Sequence, residues 1–233
     1  MPLISVIIPT LNEEKYIRYA FDGLKAQTFR DFEVIVSDKE STDKTRQIAR
    51  RAGAKVVIQK KAGISAGRNA GAKVAKGRIL VFIDADTKPS KNLLKTYSEA
   101  IGNGVIAATG PIFPLEKVSK SVYMGYEFVS GIFVELSILF GVPSIVGSNF
   151  AIDRKVFEKV RGFDEGLITY EDWDLSRRVK PYGRIEYLKG AYVNASARRV
   201  EAWGIGGYFI FHVGNMVKYQ LFRSAHKSYP PIR

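Results

Sequence analysis

A chain of 233 residues, nearly half apolar and a quarter charged, suits one well-buried domain. Without a cysteine it has no disulfide, no thiolate nucleophile and no Cys-built metal site. A formal charge of +13 directs attention to anionic partners, whether nucleotides, nucleic acid or acidic lipid head groups.

Ser5 to Pro9 (Ser-Val-Ile-Ile-Pro) reads as a short buried strand. Asn12 is a good N-cap for the next helix, with Glu13 and Glu14 opposing its dipole. Ile17, Ala20, Phe21 and Leu24 then recur at helical spacing. Phe32 to Ser37 is a second strand ending at Asp38. Ser41-Thr42-Asp43 caps a helix that Gly53 stops, and a third strand runs from Lys55 to Gln59. The Ala- and Gly-rich stretch Ser65 to Lys76 reads as a helix closed by Gly77. Ile79-Leu80-Val81-Phe82-Ile83 follows, an unbroken apolar run of the kind found in strands buried on both faces. A helix near 91–101 and a strand near 105–109 complete this half. The alternation predicts an α/β fold, a mostly parallel sheet flanked by helices.

The second half reads differently. Tyr123 to Val146 is rich in large apolar residues, but Glu127, Glu135 and Pro143 argue against a spanning helix, which needs about 20 apolar residues with few charges. Trp203 to Phe222 is similar, interrupted by glycines, His212, Asn215 and Lys218. Each suits either a core helix or one lying in the head-group region of a membrane. Tyr229 to Arg233 reads as a frayed end. The N-terminus has no basic region leading into an apolar one, so a cytoplasmic location is expected.

Right-handed crossovers align successive strand ends along one sheet edge, where open α/β sheets bind ligands. Asp38, Asp84 and Asp86 then face one crevice, with Arg68-Asn69 on the element before. Two carboxylates one residue apart suit Mg²⁺ or Mn²⁺, commonly held by one or two carboxylates plus substrate phosphates. Strand-end carboxylates also accept from base N–H groups or ribose hydroxyls. In outline this is a nucleotide-diphosphate site. Glu171-Asp172 opens a later helix, since Leu175, Val179 and the stop at Pro181 follow at helical spacing; acids there also suit the helix dipole.

These residues fall into motifs that resemble the family 2 glycosyltransferases, which have the GT-A (Rossmann-like) fold. The resemblance rests on Ser5-Val6-Ile7-Ile8-Pro9-Thr10-Leu11-Asn12-Glu13, Asp38-Lys39-Glu40-Ser41-Thr42-Asp43 and Gly67-Arg68-Asn69-Ala70-Gly71. It continues through Phe82-Ile83-Asp84-Ala85-Asp86, Gly147-Ser148-Asn149 and Glu171-Asp172-Trp173-Asp174-Leu175. It implies an inverting transfer from a UDP- or GDP-sugar to a hydroxyl of a glycan or lipid-linked acceptor. Asp38 would bind the base, with Pro9, Thr10, Asn12 and Glu13 in the same pocket and Arg68 near the donor. Asp84 would contact ribose or metal, and Asp86 would ligate the divalent cation. Asp172, paired with Glu171, would be the general base. Gly147, Ser148 and Asn149 would flank the acceptor, where Trp173 could stack on a sugar. His212 is a candidate further metal ligand. Lys39-Glu40 departs from the small residues usual in the family and puts that loop's shape in question.

The resulting division has a sugar-nucleotide-binding half at 1–110 and an acceptor-binding, catalytic half at 111–200. A helical, apolar C-terminal segment at 201–233 could meet an anionic membrane at the inner face of the cell membrane. Two rivals fit less well. A sugar-nucleotide nucleotidyltransferase would normally carry a glycine-rich loop where Thr10-Leu11-Asn12-Glu13-Glu14 stands. A nucleic-acid-binding module is prompted by eleven Lys and Arg between Lys44 and Arg78, with no Asp or Glu. Arg46, Arg50 and Lys73 among them fall on outer helix faces, so no nucleic-acid partner is expected.

Overall fold

A seven-stranded sheet organises the chain, and the computed structural model describes it over residues 1–222, the side chains of the last helix only in part. Strands β1 (Ile4–Thr10), β2 (Phe32–Asp38), β3 (Lys55–Ile58) and β4 (Ile79–Ile83) run parallel in the order β3-β2-β1-β4. Helices α1 (Ile17–Lys25), α2 (Thr45–Arg51) and α3 (Ile64–Val74) make the crossovers. Beyond β4 lie β8 (Asn149–Asp153), antiparallel to both neighbours, then β6 (Val105–Thr109) and β9 (Arg184–Tyr187). A smaller sheet joins β5 (Thr87–Pro89), β10 (Val193–Ala195) and β7 (Ile112–Pro114). The remaining helices are α4 (Leu93–Gly102), α5 (Lys120–Leu139), α6 (Arg154–Lys159), α7 (Glu171–Val179) and α8 (Arg198–Phe222). This is the expected mainly parallel α/β architecture.

β4 carries a core on each face, as its apolar run implies. Ile79, Val81 and Ile83 pack with Ile17 and Leu24 of α1 and Leu93, Leu94 and Tyr97 of α4. Leu80 and Phe82 point the other way, into Phe150, Phe157, Phe163 and Leu175. Phe82 stacks on Phe150 at 4.8 Å and meets Phe163 edge-on at 5.4 Å. Truncating such a buried aromatic typically costs about 3–5 kcal/mol.

Several local expectations change. Asn12 does not cap α1, whose N-cap is Tyr16; it takes a left-handed backbone (φ 55°) and its Oδ1 accepts from the Thr42 N–H at 2.8 Å. Arg46 is not simply solvated, since its guanidinium lies 3.6 Å from Asp38. The C-terminal helix α8 is broken at Gly204 (φ 69°, ψ 160°). The apolar helix that stands out is α5, earlier in the chain, and by length and composition it could cross a bilayer despite its two glutamates. Tyr229 to Arg233 lies outside the described residues.

Gly77, the turn into β4, shows how tightly this strand is seated. A Cβ there would stand 2.5 Å from the Ser5 backbone nitrogen and 2.6 Å from the Ile4 carbonyl carbon. Its N–H donates to Ser5 Oγ at 2.8 Å. Gly77→Ala should therefore destabilise the fold by about 1–3 kcal/mol through forced overpacking. Urea denaturation checks it, and an unshifted midpoint would show that the strand can slide.

Candidate functional site

The C-terminal ends of β1, β2 and β4 open onto a cleft of about 1130 Å³, where an open α/β sheet is expected to bind its ligand. Thr10 pairs with Asp38 across the ends of β1 and β2. β8 runs the opposite way, with Asn149 opposite Ile83, so Gly147 and Ser148 border the same cleft.

Asp84 and Asp86, one residue apart, are held by different arginines. Arg68 on α3, 2% exposed, reaches Asp84 Oδ1 at 3.1 Å and Glu171 Oε1 at 2.7 Å. Arg198, at the start of α8, binds Glu13 through both Nη atoms at 2.8 and 3.1 Å. Its Nη2 also lies 3.0 Å from Asp86 Oδ2, and its guanidinium covers the Tyr16 ring at 4.3 Å. The turn presenting Arg198 is fixed by Glu116, which accepts from Ser196 Oγ and the Ala197 N–H. The Ser196 N–H in turn donates to the Asp86 carbonyl at 3.0 Å.

Across the cleft, α7 begins with Tyr170 in a left-handed conformation (φ 69°), which is sterically costly for a non-glycine residue. Asp172 Oδ2 accepts from the Gly147 N–H at 2.9 Å, and Oδ1 from the Trp173 N–H at 2.8 Å. Glycine at 147 lets Arg68 and Asp172 approach closely: a Cβ would stand 2.8 Å from Arg68 Nη1 and 3.1 Å from Asp172 Oδ2, so both side chains would have to give way.

The acids outnumber the cations, and their titration reflects it. Burial first, then Asp172, pushes the Glu171 carboxyl up to about 7, against the pull of Arg68. Burial raises Asp172 as well, while Arg68 and the Gly147 N–H oppose it. Burial and then Asp84 push Asp86 up to about 7, with Glu13 adding to the rise and Arg198 resisting it. Burial would lower the Arg68 guanidinium, but Asp84, Glu171 and Asp172 outweigh it and hold it above its usual range.

Of the residues singled out in the sequence, Pro9, Thr10, Glu13, Arg68, Asp84, Gly147, Ser148, Glu171, Asp172 and Trp173 line this one cleft. Others do not. Asp38 is fully buried and turned into its own loop, accepting from Thr10 Oγ1 and from the Ser41 N–H and Oγ. Asn149 is also fully buried, its amide donating to the Pro111 and Ala191 carbonyls and accepting from Tyr97 Oη. Asn12 spends its side chain on Thr42. Trp173 has one face stacked on Phe133, at 6.2 Å. Glu40 keeps its loop turned by adopting a left-handed backbone (φ 52°), despite its size. The side chain of His212 lies outside the described residues. Sequence reading missed Arg198, Tyr16 and Glu116. The one available signal was Arg198-Arg199 at a helix start, where the dipole disfavours cations.

Among the described residues, no three His, Cys, Asp or Glu side chains cluster as a self-sufficient metal site. The paired acids Asp84 and Asp86, with local negative charge in excess, suit a hard divalent cation that draws its other ligands from substrate phosphates.

This sheet, with its cleft beyond the strand ends, is the GT-A fold of glycosyltransferases. TarS from S. aureus, crystallised in complex with UDP, superposes with a TM-score of 0.65 at 26% identity, covering 86% of this chain and 62% of that one. The mannosyltransferase PcManGT from Pyrobaculum calidifontis, crystallised with GDP-Man and Mn²⁺, gives 0.68 at 20% identity, over 91% of this chain and 64% of that one. The profile of Glycosyl transferase family 2 matches residues 5–161, and the chain belongs to that family. The validoxylamine A glucosyltransferase of Streptomyces hygroscopicus subsp. limoneus is 29% identical over 216 residues, which is 89% of this chain. The chain spans 44% of the length of that relative.

Removing Arg68 should expose how much the site depends on it. Arg68→Leu strands Glu171, Asp172 and Asp84 without their cation, a loss of about 3–5 kcal/mol for a buried pair broken on one side. The deficit should be largest near pH 8 and shrink towards about pH 5, because protonation relieves Glu171 and Asp172, whose folded pKa values lie above the unfolded ones. Denaturant midpoints at both pH values test this, and a pH-independent deficit contradicts it.

Proposed function

We propose that this protein is an inverting, metal-dependent glycosyltransferase. It moves a sugar from a UDP- or GDP-sugar to a hydroxyl of a glycan or lipid-linked acceptor. The observation that carries the reading is the arrangement around one cleft: Asp84 on its wall at the end of β4, Asp86 beside it against Arg198, Asp172 on the facing wall, and Arg68 tying the two sides together. TarS bound to UDP and PcManGT bound to GDP-Man and Mn²⁺ support a nucleotide-sugar donor and a divalent cation.

In this reading residues 1–110 hold the donor. Pro9 and Thr10 contact the base side, and Asp38 acts through Thr10 and Ser41, which it orients. Asp86, supported by Asp84, would hold Mg²⁺ or Mn²⁺, which when bound supplies Lewis-acid stabilisation of the departing diphosphate. Glu13 and Arg198 fix Asp86 from the other side. Residues 111–200 hold the acceptor, between Ser148, Gly147 and Trp173.

Asp172 removes the proton from the acceptor hydroxyl as its oxygen attacks the anomeric carbon. The bond to the nucleoside diphosphate breaks on the opposite face, and the configuration inverts. A positioned base of this kind contributes about 10²–10⁴-fold. Gly147 aims the carboxylate, and Glu171, bound to Arg68, keeps the neighbouring charge compensated. A place at the inner face of the cell membrane, with segment 201–233 adjoining it, belongs to the same proposal.

A panel of sugar nucleotides with Mn²⁺ or Mg²⁺, scored for thermal stabilisation and turnover, tests the reading directly. Asp86→Ala should lose metal-dependent donor binding. Asp172→Asn should keep donor binding and lose transfer by about 10²-fold or more. Full transfer by Asp172→Asn would remove the base assignment. Because burial raises the Asp172 carboxyl, and Glu171 beside it is pushed up to about 7, kcat should fall with decreasing pH at a point above the usual carboxylate range. A flat profile between that range and neutral pH would place the base elsewhere.

A further inference from the structure

Helix α5 exposes the side a soluble protein normally hides. Its inner row is anchored: Ser130 Oγ donates to the Ile112 carbonyl at 2.9 Å and accepts the Ile112 N–H at 3.0 Å, and Val134 is buried. The opposite row, Met124, Phe128, Ile132, Leu136 and Leu139, is open to solvent, and Phe140 and Val142 continue it. Ten of the eighteen exposed large apolar side chains among the described residues fall between Tyr123 and Val142. Scattered apolar residues are normal on a surface, but a contiguous patch marks an interaction site.

The charges around this row choose its partner. Lys117 and Lys120 stand exposed at its N-terminal end. At the other end Lys180 reaches the Gly141 carbonyl, and Lys159 lies over the exposed Tyr182 ring at 4.5 Å. The two glutamates of α5 lie on the flank towards β9, where both act on Tyr187 and Glu135 is paired with Lys189 at 3.2 Å. An apolar row with lysines and a tyrosine at its rim matches the boundary of an anionic bilayer, where long cationic side chains keep their heads in the phosphate layer. A second copy docking on the same face would bring the same lysines together.

We propose that the outer face of α5, from Met124 to Val142, docks in the plane of an anionic lipid bilayer. The helix does not cross it, because the Ser130–Ile112 bonds and buried Val134 tie its other face to the domain. Phe128, Val129 and Phe133 also line the cleft. The cleft would then open at the membrane surface, which deepens the lipid-linked acceptor reading without depending on turnover.

Co-sedimentation with phosphatidylcholine vesicles, with and without phosphatidylglycerol, tests this on the full chain. Wild type should pellet with the anionic vesicles at low salt. Ile132→Asp/Leu139→Asp/Phe140→Asp, at exposed positions outside the cleft wall, should partition about tenfold less or weaker still. An unchanged melting temperature verifies its fold. Lys117→Gln/Lys120→Gln, which leaves the apolar row intact, should weaken binding to anionic vesicles only. Wild type remaining in the supernatant with both vesicles, or the triple variant pelleting as well as wild type, overturns the proposal. So does a concentration-dependent dimer in sedimentation velocity that the triple variant abolishes. The readout is binding alone, so its failure leaves the transferase reading standing.

Discussion

The site depends on two arginines, Arg68 buried and Arg198 half-buried, that divide an acidic pair between them. Arg68 takes Asp84 together with Glu171, and Arg198 takes Asp86 together with Glu13. Charges taken out of water are costly unless paired and hydrogen-bonded. Each guanidinium therefore works as a structural rivet: the first joins α3, the end of β4 and the start of α7, and the second joins the loop after β1, the turn after β4 and α8. The elements joined by Arg198 are 185 positions apart in the chain. The cleft walls stay in register because separating them would strand an ion.

This pairing still leaves acids in surplus, and the proposed function gives the surplus a chemical use. Around Arg68, three carboxyls face one guanidinium, and burial, joined for Glu171 by the charge of Asp172, pushes Glu171 and Asp172 up despite it. Asp86 is pushed up in the same way on the other side. A cleft with unspent negative charge at the strand ends favours a cation there, and a raised carboxyl on the facing wall suits proton transfer near neutral pH. In the proposed reading, one set of charges prepares both halves of the displacement.

The parts of the fold legible in the sequence were those fixed by local periodicity. The run Ile79 to Ile83 announced a strand with a core on each side, and it has one. Asp84 followed from its place at that strand's end. Side-chain direction at chain reversals was not legible. Asp38 and Asn149 both sit at strand ends beside the cleft, yet each turns inward to hydrogen-bond partners there: Asp38 accepts from Ser41 and Thr10, and Asn149 accepts from Tyr97 and donates to two carbonyls. Arg198 was invisible for the opposite reason. Its partners come from Glu13 and Asp86, far back in the chain, and no spacing rule connects them.

α5 carries the same lesson in reverse, because its composition was legible and its orientation was not. A helix packed on a soluble core should turn its largest apolar residues inward. Here the small polar Ser130 faces in, satisfying the Ile112 backbone, and phenylalanines face out. Over Glu127–Phe133 the helix widens to i→i+5 hydrogen bonding. In α geometry, residues four apart drift steadily around the helix axis; a wider turn carries them back the other way. The widened segment thus lets Met124, Phe128, Ile132 and Leu136 hold one straight outer row while Tyr126, Ser130 and Val134 hold the inner one. The local departure from α geometry is what keeps both faces of the helix aligned along its length.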